Sequence, residues 1–290
     1  MGAVHVGLVT HPRSRFDADG TATRQAQDLA DALGRRGAGA GLLISDRDDY
    51  DAQALPLGRA ELRRSARYQA DLEYRWRRYL ASAGGRPARA GGLDRVLGLA
   101  MAGKRQVRTE ALWPWSDGAA GRTAATRLLN IDLSHLRALD AGVASGADWV
   151  LVLEDDARVD DVEVAVDDVL AAVAAVEGTP VAFVSVSESI PLAELGVDGI
   201  VGGRLSASAP SWLVATTTPV TNTVCANLYR SSFAADLAAG IRARGLLPVA
   251  PIDWRLNEQV MAMVADGRLG PSSCAWALPG LFLQASMHPA

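Results

Sequence analysis

The sequence of 290 residues, 49% of them hydrophobic, can bury the core of one large α/β domain or two small ones. A net charge of −4 gives no general attraction for nucleic acid, and no apolar run reaches the ~20 residues that span a bilayer. Of the 29 basic residues all but one are Arg, and the single Lys, Lys104, stands in Gly103-Lys104-Arg105, which lacks the Ser/Thr of a phosphate loop.

The start, Met1-Gly2-Ala3-Val4-His5, lacks the charged-then-apolar pattern of a secretory signal, so a cytoplasmic protein is expected. Residues 4–10 read as a first strand leading into the loop His11-Pro12-Arg13-Ser14-Arg15. Helical spacing follows over 21–33, with Ala26, Leu29, Ala30 and Leu33 on one face and Gly34 and Gly37 at its end. A second strand spans 41–45, followed by Asp46-Arg47-Asp48-Asp49-Tyr50. A β-α-β start implies parallel pairing, which opens both loops on one sheet edge. Thr10, Arg13, Arg15 and Asp46 are therefore candidates for one pocket, the arginines for phosphate and Asp46 for a ribose hydroxyl or base. Taken singly, each reads as an ordinary solvated loop residue.

A long helix is predicted over 59–80, with Leu62, Ala66, Gln69, Leu72, Trp76 and Leu80 as its inner stripe. Its outer face is rich in Arg, Arg75 among them, and is either solvated or a docking face for an anionic acceptor or a membrane surface. A Gly-rich joint at 84–92 and a second helical piece at 93–102 make 56–110 a helical insertion. It separates a nucleotide-binding half, 1–55, from a second half, 111–290, within a single domain. Trp113 and Trp115 sit in a loop, either to stack on sugars or bases or to pack beneath it.

A helix over 122–143 turns into Trp149-Val150-Leu151-Val152-Leu153, a run suited to a strand buried on both faces. That strand ends in Glu154-Asp155-Asp156. At about 4 Å and an effective dielectric near 20, each like-charge pair costs on the order of 4 kcal/mol. A divalent cation would relieve that cost, and open α/β sheets bind ligands beyond the carboxyl ends of their strands. The alternative is an acidic helix start, continued by Asp160, Asp161 and Glu163. Beyond it come a helix at 162–176, a strand at 181–186, and a Gly/Ser-rich loop at 196–210 read as a lid. Strands at 212–216 and 221–229, a helix at 231–239 and another at 256–265 follow. Cys225 and Cys274 read as small buried hydrophobes.

Ser134-His135-Leu136-Arg137-Ala138-Leu139, followed by Gly146 and the strand ending Leu153-Glu154-Asp155-Asp156, resembles the family 25 glycosyltransferases. These include lipopolysaccharide-biosynthesis enzymes and collagen galactosyltransferases. The likeness covers about 25 residues. It departs upstream, where Arg127 to Ile131 stand in place of the family's Gly-Glu-Ile-Gly-Cys. Pro251-Ile252-Asp253 and the closing Pro279, Gln284 and Ser286 resemble two later family segments.

The resemblance implies an α/β fold of the GT-A type, with a mostly parallel central sheet flanked by helices. It implies a Mn²⁺- or Mg²⁺-dependent hexosyltransferase using a UDP- or GDP-sugar and a small hydroxyl acceptor, with inversion. Asp155 and Asp156 are the expected metal ligands, with His288 a further one, while Glu154 and Asp155 also belong to the donor site. His135 is placed either to bond Glu154 or a donor group, or as a core histidine. By family position Asp253 is the general base and Glu258 its fallback, the alternative for Asp253 being a helix N-cap.

Other chemistries fit less well. A haloacid-dehalogenase-like phosphatase needs its Asp-x-Asp strand first and a later Lys, and Gly142-Val143-Ala144-Ser145-Gly146 sets its Ser one place too late for a hydrolase elbow. The competing non-enzymatic reading is a catalytically silent transferase-like domain that binds nucleotide or sugar.

Overall fold

The computed structural model describes residues 2–51, 68, 71–72, 74–76, 78–80, 96, 100, 119–188, 201–221, 224–245 and 251–287. The chain opens with β1 (Val4–Val9), α1 (Thr21–Arg35) and β2 (Gly39–Ser45). After the insertion come α2 (Ala119–Ala144), β3 (Trp149–Glu154), β4 (Ala157–Arg158) and α3 (Val162–Val176). Short strands follow: β5 (Phe183–Ser185), β6 (Ser187–Glu188), β7 (Val201–Arg204), β8 (Leu213–Thr216) and β9 (Ala226–Arg230). The described chain closes with α4 (Ser231–Ala243), α5 (Ile252–Ala265), β10 (Cys274–Ala277) and β11 (Phe282–Gln284).

All six residues of β1 are buried because both faces of the sheet are covered. Val4, Val6 and Leu8, with Trp149, Leu151 and Leu153 of β3, face α1 and α3 in one core. Val150 and Val152 face the opposite core with α2, α4 and α5. The helix α1 docks through Ala22, Ala26, Leu29, Ala32 and Leu33, and burying each Leu contributes about 1.5–3 kcal/mol. On the other face α2 lies close to the sheet. A Cβ at Gly7 would stand 2.7 Å from the Ala138 Cβ, and one at Gly142 would collide with Val150. Cys225 and Cys274 are both buried and are not joined by a disulfide, as their apolar surroundings imply.

The large sheet has eight strands in the order β2-β1-β3-β9-β5-β10-β8-β7. It is α/β and flanked by helices as expected, but it is mixed rather than mostly parallel. Three pairings are parallel (β1 with β2, β1 with β3, β5 with β10) and four antiparallel. The reason lies in β9, which runs between β3 and β5 against both. A strand's direction depends on where the preceding connection delivers the chain, and a local apolar run does not carry that information.

Two further readings change. Within the supposed lid, Val201–Arg204 is an edge strand paired with β8, and Arg204 Nε donates to the Ala209 carbonyl (2.7 Å) to close the turn. Residues 196–200 lie outside the described residues, as do Trp113 and Trp115. Every described residue from 68 to 80 is helical, with Leu72 and Tyr79 buried against Val220, Met261 and Trp276. Arg75, expected on the outer face of this helix, instead pairs with the buried Glu258 (2.9 Å). Leu62, Ala66 and Gln69 of the predicted stripe lie outside the described residues.

By register, Val9 is opposite Ser45 on β2 and Glu154 on β3, so the exits of three strands meet at one edge. There a small sheet, β4-β11-β6, brings the C-terminal segment alongside the acidic turn, with Gln284 opposite Ala157. Among the described residues no helix is long and apolar enough to cross a membrane.

Candidate functional site

At the strand edge each of the three carboxylates has its own hydrogen-bond partners. Glu154 Oε1 pairs with Nε2 of the buried His135 (3.1 Å), so of the roles open to His135 the structure shows the bond to Glu154. Asp155 Oδ2 accepts from the Thr10 hydroxyl (3.1 Å). Asp156, 6% exposed, accepts through Oδ2 from Gln284 Nε2 (3.1 Å) and Ser286 Oγ (2.5 Å). Each carboxylate is thus relieved by a donor from a different element, which lowers the repulsion that a contiguous acidic triplet implies. Arg158 locks the turn, its guanidinium donating to the Asp155 (2.7 Å), Ala157 (2.9 Å) and Phe16 (2.5 Å) carbonyls.

Among the described residues no three His, Cys, Asp or Glu side chains converge as a preformed metal shell. His288, proposed as a ligand, lies outside them. One observation nevertheless fits a cation: Asp156 Oδ1 is buried and has no hydrogen-bond partner among the described residues. Asp155 and Asp156 supply hard oxygen donors from adjacent positions. Mg²⁺ in nucleotide sites is held by one or two carboxylates with substrate phosphates completing the shell.

Two adjoining cavities open at this edge. The smaller, about 610 Å³, is lined by Thr10, Arg13, Arg15, Arg127, Glu154, Asp155, Asp156, Gln284 and Ser286. The larger, about 990 Å³, is lined by Thr10, His11, Arg13, the 48–51 loop, and Thr123, Thr126, Arg127, Asn130, Ile131 and Ser134 of α2. Both are of a size that takes small-molecule ligands. Thr10, Arg13 and Arg15, from the loop that the β-α-β reading assigned to this edge, therefore line one cavity together with the three acidic residues.

Asp46 does not join them: it is exposed and lines neither cavity. Asp48, Asp49, Tyr50 and Asp51 take its place, because α2 draws that loop inward. Asn130 Oδ1 accepts from the backbone N–H of Asp49 (3.1 Å) and Tyr50 (3.0 Å), and its Nδ2 donates to the Tyr50 carbonyl (3.1 Å). Arg137 adds an ion pair to Asp49 and a bond to the Arg47 carbonyl (3.0 Å).

Sequence reasoning assigned no role to Arg127, Asn130, Gln284 or Ser286. For the first two a signal existed, since Arg127, Asn130, Ile131 and Ser134 share one helical face. For the last two nothing local showed that β11 would bring them to Asp156.

The proposed bases sit elsewhere. The helix α5 begins at Ile252 with Pro251 as its N-cap, so Asp253 lies inside the first turn and is not the cap. Its Oδ1 accepts from the Trp254 N–H (3.0 Å), and it lines neither cavity. Glu258, the fallback, is buried and bonded to Arg75 (2.9 Å), Arg244 (2.7 Å) and the Tyr68 hydroxyl. A base must reach the acceptor hydroxyl, whereas this carboxylate is committed to joining Tyr68 and Arg75 to Arg244. Nearby, Asp132 on α2 is fully buried, with neither oxygen partnered among the described residues. Burial holds its carboxyl well above the usual range; Arg255 opposes the shift and Asp253 adds to it. Compared with known proteins, the sequence matches no family model and no curated protein.

Proposed function

We propose that this protein is a divalent-cation-dependent glycosyltransferase with a GT-A-like fold. It moves a hexose from a UDP- or GDP-sugar to a hydroxyl of a small glycan or secondary metabolite. One observation carries the reading: a basic loop, Arg13 and Arg15, and a carboxylate pair, Asp155 and Asp156, line the same cavity beside a second, larger one. A ligand that suits both walls is anionic and cation-bound, as a nucleoside diphosphate is. The Ser134-His135 helix and the Leu-Glu-Asp-Asp strand support the same reading through their likeness to family 25.

The residues divide the work. Asp155 and Asp156 would hold Mn²⁺ or Mg²⁺, which supplies charge neutralisation of the departing diphosphate. Arg13 and Arg15 bind phosphate oxygens, Thr10 orients Asp155, and His135 orients Glu154. Gln284 and Ser286 fix one oxygen of Asp156 and leave the other available. Tyr50, 39% exposed beside the larger cavity, offers a ring for the nucleobase. By its family position Asp253 would take the acceptor proton in an inverting transfer, although it lines neither cavity.

The test is a panel of nucleotide sugars scored for thermal stabilisation with Mg²⁺ or Mn²⁺ and with chelator. A UDP- or GDP-sugar is expected to stabilise only with metal, and Asp156→Asn to abolish that effect at unchanged melting temperature without ligand. Stabilisation that ignores chelator and Asp156→Asn overturns the cation site. A second reading, a silent binding domain, is favoured by the absence of Asp253 from both cavities. Metal-dependent release of hexose from the stabilising donor decides against it.

A further inference from the structure

Arg127 projects from the cavity face of α2, one helical turn before Asn130 and Ile131. It lines both cavities, and so does Arg13 from the loop after β1. Neighbouring arginines are engaged. Arg158 is spent on three carbonyls and Arg137 on Asp49 and the Arg47 carbonyl, while Arg15, over the Phe16 ring at 4.6 Å, lines the smaller cavity only. The guanidinium groups of Arg13 and Arg127 have no hydrogen-bond or ion-pair partner among the described residues. The boundary between the cavities thus carries two uncommitted positive forks, while Glu154, Asp155 and Asp156 line the smaller cavity.

A nucleoside diphosphate occupying both cavities has its most charged part at that boundary. Resting on the transferase reading, we infer that Arg127, together with Arg13, clamps the donor diphosphate and takes up the charge of the leaving group opposite the acidic wall. In transfer the acceptor oxygen bonds to the anomeric carbon, and the bond from that carbon to the β-phosphate oxygen breaks. Its electron pair stays on the diphosphate, and the acceptor proton passes to a carboxylate base. The added charge falls on phosphate oxygens, which the planar guanidinium forks match in pairs. Carboxylates on one side and arginines on the other let the diphosphate be neutralised from two sides.

The clamp is tested by titrating inorganic pyrophosphate, UDP and GDP, each with Mg²⁺, into wild type, Arg127→Gln, Arg127→Lys and Asp156→Asn. Arg127→Gln is expected to weaken pyrophosphate and the preferred diphosphate by about tenfold to a hundredfold. Arg127→Lys should recover part of the loss, since it keeps the charge and loses the fork. Because Arg127 is exposed, the melting temperature should not move. Affinity unchanged in Arg127→Gln but lost in Asp156→Asn overturns the clamp and leaves the transferase reading standing. Failure of wild type to bind pyrophosphate, UDP or GDP with Mg²⁺ overturns both.

Discussion

Asn130 makes the most direct prediction about how the larger cavity keeps its shape. Its amide holds the backbone of Asp49 and Tyr50 by three hydrogen bonds of 3.0–3.1 Å, and the residue is only 7% exposed. Asn130→Ala removes all three. At about 0.5–1.5 kcal/mol net each, the loss would lie between about 1.5 and 4.5 kcal/mol if the freed groups stayed dry. Asp49 and Tyr50 are exposed residues, so water takes over part of that bonding and the lower end applies. The expected cost is about 1–2 kcal/mol in urea denaturation. Binding should suffer more than stability. Re-ordering two freed residues on binding costs about 1–2 kcal/mol each in backbone entropy, or at least tenfold in affinity. A titration with whichever nucleoside diphosphate binds wild type measures this. Stability within about 0.5 kcal/mol of wild type, together with unchanged affinity, would refute the clamp on the loop.

Two other substitutions test α2 and α5. Asp253→Asn should lower sugar transfer by about 10²- to 10⁴-fold with little change in melting temperature, because the residue is not the cap of α5. Near wild-type turnover would remove Asp253 from catalysis. Asp132→Asn should stabilise the protein increasingly as pH rises. Burial raises the folded carboxyl above its unfolded value of 3.8, so the charged form is disfavoured only in the fold. The penalty is absent below that value and grows as pH climbs from it through the folded pKa. Equal stabilities of the two proteins from pH 4 to pH 8 would show that the buried carboxylate carries no such cost. His5 titrates in the opposite sense: burial lowers its pKa below 6.5, so its contribution is present above that value and lost as pH falls below it. Replacement of His5 by Gln should flatten the acid limb of the stability profile between pH 7 and pH 5.

Much of this architecture was determined by the sequence alone, because the relevant signals are local. Five unbroken apolar residues from Trp149 to Leu153 require a strand covered on both sides, and the spacing of Ala26, Leu29 and Leu33 requires a helix with one buried face. A β-α-β start then commits the loops after β1 and β2 to one edge, which is why Arg13 and Arg15 could be assigned to that edge from their order in the chain. Tertiary structure decided the remainder. The direction of β9, antiparallel to both β3 and β5, is not written in its own apolar run. The exclusion of Asp46 in favour of residues 48–51 comes from an amide 80 residues away along the chain, on α2. Asp156 gained Gln284 and Ser286 as partners through β11, at separations of 128 and 130 residues. Glu258, placed by its spacing one turn beyond Asp253, was claimed by Arg75, Arg244 and Tyr68 because a buried carboxylate must be paired. Periodicity records which face of an element is apolar. Which distant donor reaches a particular oxygen is settled only when the elements pack.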